Sequence, residues 1–188
     1  MGMPAAFAKW TVDLLDALPQ SSDRFELIDG ELYVTPSPGI SHQGALLRLA
    51  SRLLTYTDRV GVGRTVISPS DVWREERQEN RVQPDVYVVR LRGGTMPPYP
   101  FHLRELLLAV EVASPGNPLL DYHVKRQAYP AGGVGEYWIF NIEQRSVTRF
   151  IGADDRGEVL TNRLEWHPEG AAESFVVDLP SFFDDALR

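Results

Sequence analysis

Two carboxylates stand where apolar strands would ordinarily exclude them. Asp85 opens the run Val86-Tyr87-Val88-Val89, and Glu111 interrupts the apolar stretch from Leu106 to Ala113. A buried, unpaired carboxylate is costly, so each needs a cation, a hydrogen-bond donor or a raised pKa. Strand alternation sets Ala109, Glu111 and Ala113 on one face. The two alanines leave room beside the carboxylate for a metal ion or a substrate. The competing reading is a pair of structural acids, each bound to an arginine, and 17 of the 19 basic residues are Arg. Two such acids, both on strands and near strand ends, favour function.

Lys125 is the third element. Only Lys9 and Lys125 are Lys, so a surface pair in this chain would more readily have used Arg. A compact ammonium suits a phosphate or a metal-bound water. The plainer alternative is an i,i+4 pair with Asp121 on a solvated helix face. His42 is either a polar residue in the first turn of its helix or a phosphate or metal contact. His102, His123 and His167 have no zinc-site spacing, and Ser114 lies in no nucleophile elbow.

The elements that would position these residues follow from periodicity. Phe7, Trp10, Leu14, Leu15 and Leu18 predict a helix over 5–18. Residues 25–28 and 31–34 predict a hairpin turning at Asp29-Gly30. Ser41 is placed to cap a helix running to about Asp58. Strands are expected near 64–68, 71–74 and 82–90, then a Gly/Pro-rich loop at 91–100. Leu106–Ala113 reads as a central strand buried on both faces. After a turn at 114–118 come a helix at 119–130 and a strand at 136–141. Strands near 146–151, 157–162 and 173–178 and a short helix complete the chain. This is a mixed α/β domain with a mixed sheet. No GxGxxG or Walker loop supports a nucleotide cofactor.

Composition bounds the rest. The chain has 188 residues and no Cys, which excludes a disulfide scaffold, a thiolate zinc site and a Cys nucleophile. Its length suits one domain, and no apolar run approaches the ~20 residues that cross a bilayer. The first twenty residues lack the pattern of a signal peptide, so a cytoplasmic location is expected.

Together these residues resemble a known family. Pro84-Asp85, Glu111-x-Ala113 and a helical Lys125, within α-β-β-β-α-β, look like the PD-(D/E)XK restriction-endonuclease-like superfamily. More narrowly, the chain resembles the bacterial Uma-two family of endonucleases. The stretches that carry this are residues 25–32, Pro36-Ser37-Pro38 with His42-Gln43, Gln83-Pro84-Asp85-Val86, residues 110–115, Asp121 with Lys125 and Tyr129, and residues 133–139.

The resemblance implies an α/β (α+β) fold with that core and a mixed sheet, flanked by N- and C-terminal β-hairpins. It implies one domain over 1–188, with the nuclease-like core and N-terminal hairpin in 20–152 and C-terminal strands and a short helix in 153–188. It implies a metal-dependent DNA endonuclease. Asp85, Glu111 and the carbonyl of Val112 would hold Mg²⁺ or Mn²⁺, and Lys125 would orient the attacking water or stabilise the transition state. Glu31 and His42 match family positions as secondary candidates, and Asp121 would position Lys125. A homodimer is a further expectation. Two departures stand out: Ala113 occupies the usual position of the strand lysine, and Gly135 replaces a usual Pro. A catalytically inactive interaction module and a hydrolase of small phosphoesters are the competing functions.

The formal net charge of −7 argues against a general coat for nucleic acid. It is unevenly spread. Residues 41–130 hold twelve basic and nine acidic residues, whereas both flanking segments are acidic. The only basic segment is the one that carries Asp85, Glu111 and Lys125.

Overall fold

The computed structural model describes residues 9–74, 79–113, 120–152, 154 and 156–187. Helix α1 (Val12–Asp16) is shorter than the predicted helix; Thr11 caps it, and Phe7 lies outside the described residues. Strands β1 (Arg24–Ile28) and β2 (Glu31–Thr35) form the expected hairpin. Asp29 and Gly30 both take positive φ in its tight turn, which is why Asp-Gly stands there. Helix α2 (Ile40–Val60) begins one residue before Ser41. Gly39 is its extended N-cap and no side chain caps it, so Ser41 does not play the expected role. Gly61, in the left-handed region, closes the helix.

Strands β3 (Gly63–Ile67), β4 (Val72–Trp73), β5 (Arg81–Val82), β6 (Val86–Arg90) and β7 (Phe101–His102) follow. The single strand expected over 82–90 is two strands in different sheets. Pro84, which has no N–H to give a ladder, marks the break. Strand β8 (Leu106–Val112) is the predicted central strand. The turn at 114–118 lies outside the described residues. A π-helical segment, Leu120–Lys125, runs directly into α3 (Arg126–Ala131), with Pro130 in its last turn.

Strands β9 (Glu136–Asn141), β10 (Ser146–Ile151), β11 (Glu158–Leu160), β12 (Arg163–Trp166) and β13 (Phe175–Asp178) precede helix α4 (Leu179–Ala186). Strand β12 was not anticipated, although Leu164 and Trp166 alternate inward along it.

A six-stranded mixed sheet, ordered β11-β10-β9-β8-β6-β3, forms the centre. Only β8 and β9 run parallel in it. The series α2-β3-β6-β8-α3-β9 gives the expected α-β-β-β-α-β core, with the β1–β2 hairpin before it and the β12–β13 pair after it. On one face, Leu49 and Leu53 of α2 and Phe182 and Phe183 of α4 pack on Val86, Val88, Leu108 and Val110. On the other, Tyr87, Val89, Ala109 and Ile139 meet Ile28, Val72 and Val82 of a second sheet, together with Tyr129 of α3. Trp166, Phe175, Phe182 and Phe183 are all buried. No helix among the described residues is long and apolar enough to cross a membrane.

The departure at Gly135 has a structural reason. Its N–H donates to the Leu106 carbonyl at 3.1 Å, and a Cβ there would lie 2.6 Å from the Leu107 carbonyl oxygen. A proline would lose the hydrogen bond and meet the same backbone.

Candidate active site

The start of β6 meets the end of β8. Val86 pairs with Val110 in the antiparallel ladder, so one further step sets Asp85 against Glu111. Asp85 precedes the strand at the junction of the two layers and reaches both. His42 of α2 donates from Nε2 to Asp85 Oδ2 at 3.0 Å. Arg24 of β1 donates from Nη1 to Asp85 Oδ1 at 2.7 Å. The backbone N–H of Val112 donates to Oδ2 at 2.8 Å. Burial alone would raise the Asp85 pKa. The His42 hydrogen bond and the Arg24, His42 and Lys125 charges outweigh it and hold the carboxyl well below the usual range.

Glu111 faces the other layer, on the side of Ala109 and Ala113 as alternation requires. Its Oε1 accepts from Lys125 Nζ at 2.9 Å and from the Tyr129 hydroxyl at 2.6 Å. Among the described residues, no hydrogen bond reaches its Oε2. Burial pushes the Glu111 carboxyl up, opposed by Lys125 and reinforced by the Asp85 and Asp121 charges.

Lys125 is fully buried rather than on a solvated face. Its Nζ lies 2.9 Å from both Glu111 Oε1 and Glu26 Oε2, and 3.7 Å from Asp121 Oδ1. Burial would lower its pKa, but these three carboxylates more than reverse that and keep it an ammonium. Asp121 is raised to about 6, chiefly by burial, with Lys125 opposing and Asp85 and Glu26 adding to the rise.

The structure thus unites Asp85, Glu111, Val112, Lys125, His42 and Asp121. It does not bring Glu31 to them: that carboxylate sits at the exposed hairpin end, accepting from the Tyr33 hydroxyl. Three residues were missed by sequence reasoning as site members. Glu26 is fully buried, takes the Gln83 N–H at 2.8 Å and shares Lys125. The criterion that marked Asp85 and Glu111 applies equally to it, since it interrupts Phe25-Glu26-Leu27-Ile28. Tyr129 belongs to a quoted motif without an assigned role. Arg24 had no signal that separated it from the other arginines.

Four carboxylates (Glu26, Asp85, Glu111 and Asp121) therefore face two permanent cations, Arg24 and Lys125, in a buried volume. The excess negative charge, the hard oxygen donors and the open Oε2 of Glu111 fit a divalent cation such as Mg²⁺ or Mn²⁺. No three carboxylates or imidazoles among the described residues converge on one point. Arg24 and Lys125 instead take up the oxygens that such a cation would use.

The cluster meets solvent at a groove of about 430 Å³. Arg24, His42, Asp85, Ser21, Ser37 and Gln83 line it together with apolar residues such as Phe25 and Ile67. Glu111 and Lys125 are buried and do not line it.

Comparison with known proteins agrees with this architecture. A family model, Uma2, described as "Putative restriction endonuclease", matches residues 12–177. The chain belongs to the Uma2 family. Asp85, Glu111 and Lys125 all lie within the matched Uma2 region. The crystal structure of a "putative nuclease belonging to DUF820" from Anabaena variabilis is similar to this Uma2 chain, with a TM-score of 0.76 at 16% identity. The superposition covers 94% of this chain and 98% of that one, so the two share a fold. No curated protein matches the sequence.

Proposed function

We propose that this Uma2 protein is a Mg²⁺- or Mn²⁺-dependent endodeoxyribonuclease. The observation that carries the reading is the convergence of Asp85, Glu111 and Lys125 beside a groove that Arg24 and His42 line, within a family described as "Putative restriction endonuclease". Asp85 and Glu111 hold the cation, with the carbonyl of Val112 as a further ligand. The cation supplies Lewis-acid chemistry, acidifying water and neutralising phosphate charge.

The chain's own residues do the rest. Lys125 has three N–H donors. Glu111 accepts one at 2.9 Å, Glu26 Oε2 at 2.9 Å is an ion-pair partner without hydrogen-bond geometry, and Asp121 at 3.7 Å is beyond hydrogen-bond range. A donor is thereby left for the attacking water or for charge developing on the phosphate. Asp121 and Glu26 fix the direction of that donor. Tyr129 holds the Glu111 carboxylate by one oxygen and leaves the other available. His42 and the Val112 N–H hold Asp85 Oδ2 in place. Water adds to phosphorus, the bond to the leaving sugar oxygen breaks, and the products are a phosphate monoester and a hydroxyl. A single domain over 1–188, a homodimer and a cytoplasmic location belong to the same reading.

One observation favours a second reading, a non-catalytic module: both oxygens of Asp85 are already engaged by Arg24, His42 and Val112. Calorimetric titration with Mn²⁺ separates the two. The nuclease reading expects saturable binding that Glu111→Gln abolishes. Absent binding, or binding indifferent to Glu111→Gln, supports the module.

A further inference from the structure

Arg24 is the cation of the cluster that reaches solvent. Its side chain is 19% exposed, whereas that of Lys125 is sealed. One nitrogen, Nη1, bonds both Asp85 Oδ1 at 2.7 Å and the Gln83 carbonyl at 2.9 Å. Its Nε stands 3.8 Å from Glu26 Oε2. Asp85 Oδ2 is already filled by two donors, so Oδ1 is the oxygen through which Asp85 can ligate a cation. Arg24 covers that oxygen.

We propose that Arg24 is a displaceable counter-ion. It neutralises Asp85 while the metal is away, gives up Oδ1 when a divalent cation binds, and turns into the groove to hold the phosphate of a nucleic-acid strand. This rests on the nuclease reading above and adds to it a residue that couples metal to substrate.

Three physical arguments support it. A guanidinium and a divalent cation repel each other, so they do not share one carboxylate oxygen within contact distance. The residue that must move is on the groove side, and it opens β1, where its pairing with Thr35 is the last of the ladder. Its destination is lined by Ser21, Ser22 and Ser37, which offer polar contacts, and by Arg81, a second positive charge on the same wall. The planar fork of Arg suits phosphate oxygens better than a point charge does.

The coupling has two consequences of opposite sign. Without Arg24 the metal binds more tightly, because nothing competes for Oδ1. Without Arg24 the strand binds more weakly, because its phosphate loses a partner. A merely structural ion pair would not produce this opposition.

The test is calorimetric titration of the full chain with Mn²⁺, alongside fluorescence anisotropy of a labelled oligodeoxynucleotide in Ca²⁺. Arg24→Gln is expected to bind Mn²⁺ on the order of tenfold more tightly than wild type and the oligonucleotide on the order of tenfold more weakly. Arg81→Gln, which removes another positive charge from the groove wall without touching Asp85, is expected to leave Mn²⁺ affinity unchanged. Should Arg24→Gln fail to fold by circular dichroism, Arg24→Lys carries the same two expectations at smaller size, since a shorter ammonium competes less well for Oδ1. Equal or weaker Mn²⁺ binding by the Arg24 variant overturns the proposal, as does an equal gain in Arg81→Gln. Unchanged oligonucleotide binding overturns the phosphate role. Absence of Mn²⁺ binding in both wild type and Arg24→Gln, or uptake that ignores Glu111→Gln, overturns the nuclease reading and this inference with it. Binding by Arg24→Gln where wild type binds none, abolished by Glu111→Gln, supports both.

Discussion

Lys125 Nζ lies 2.9 Å from Glu26 Oε2, joining the turn before α3 to the first hairpin of the chain. The same nitrogen holds Glu111, so a single ammonium fastens three segments around a buried negative charge. Removing it leaves carboxylates without a partner in a low dielectric. Lys125→Met is predicted to cost about 3–5 kcal/mol of stability at neutral pH, the range for breaking a buried pair. Combining it with Glu26→Gln should recover part of that loss. Urea denaturation of the two single variants and the double variant measures the coupling, and strictly additive losses would contradict it.

Asp85 holds the fold as well as the site. Asp85→Ala would strand the Arg24 guanidinium, so loss of activity in that variant could reflect lost structure. Asp85→Asn keeps the shape but turns one acceptor oxygen into an NH2 donor facing Arg24 or His42 and the Val112 N–H, with loss of charge-assisted hydrogen bonds worth about 1.5–3 kcal/mol each. It should nevertheless lower Mn²⁺ affinity by more than the roughly 10–100-fold that even the outer partners of a metal contribute. Calorimetry beside circular dichroism checks this. A folded Asp85→Asn protein with unaltered affinity would remove Asp85 from the metal's ligands.

The pH dependence has a definite sign. Asp121 titrates at about 6 in the folded protein, against about 4 in an unfolded chain. Between those values the folded state binds more protons, so stability falls as pH rises from about 4 to about 6. Glu111, also raised, acts in the same direction. Asp85 is depressed and acts oppositely. Its contribution is fully present above about pH 4 and is lost as pH falls through its folded value. Denaturation midpoints across this range in EDTA should therefore peak on the acid side of neutrality. Asp121→Asn should flatten the decline between about 4 and about 6. An unchanged slope in that variant would show that Asp121 is not the group responsible.

Much of this was visible in the chain. The hairpin at Asp29-Gly30, the central strand and the α-β-β-β-α-β order follow from apolar periodicity and turn residues. Asp85 and Glu111 stood out because a carboxylate in an apolar strand carries a physical cost, and Lys125 because the chain otherwise prefers Arg. The same cost argument, applied to Phe25-Glu26-Leu27-Ile28, would have reached Glu26. What sequence could not supply was depth. Asp121 and Lys125 at i,i+4 read equally well as a solvated pair, and only packing shows the lysine sealed inside. Arg24 was indistinguishable from the other arginines until the fold brought it onto Asp85. The split of 82–90 into two strands also depended on tertiary pairing, with Pro84 as its only local sign.

The central claim is cleavage of DNA by metal held at Asp85 and Glu111. The most direct measurement is the rate at which the full chain cuts labelled single- and double-stranded DNA in Mg²⁺ or Mn²⁺, with and without EDTA, compared with Glu111→Gln. Cutting that EDTA abolishes and Glu111→Gln lowers by at least about 10²-fold, or roughly 2.7 kcal/mol of barrier, is the predicted result. Cutting that persists equally in EDTA or in Glu111→Gln, or no cutting by folded protein that binds Mn²⁺, would contradict it.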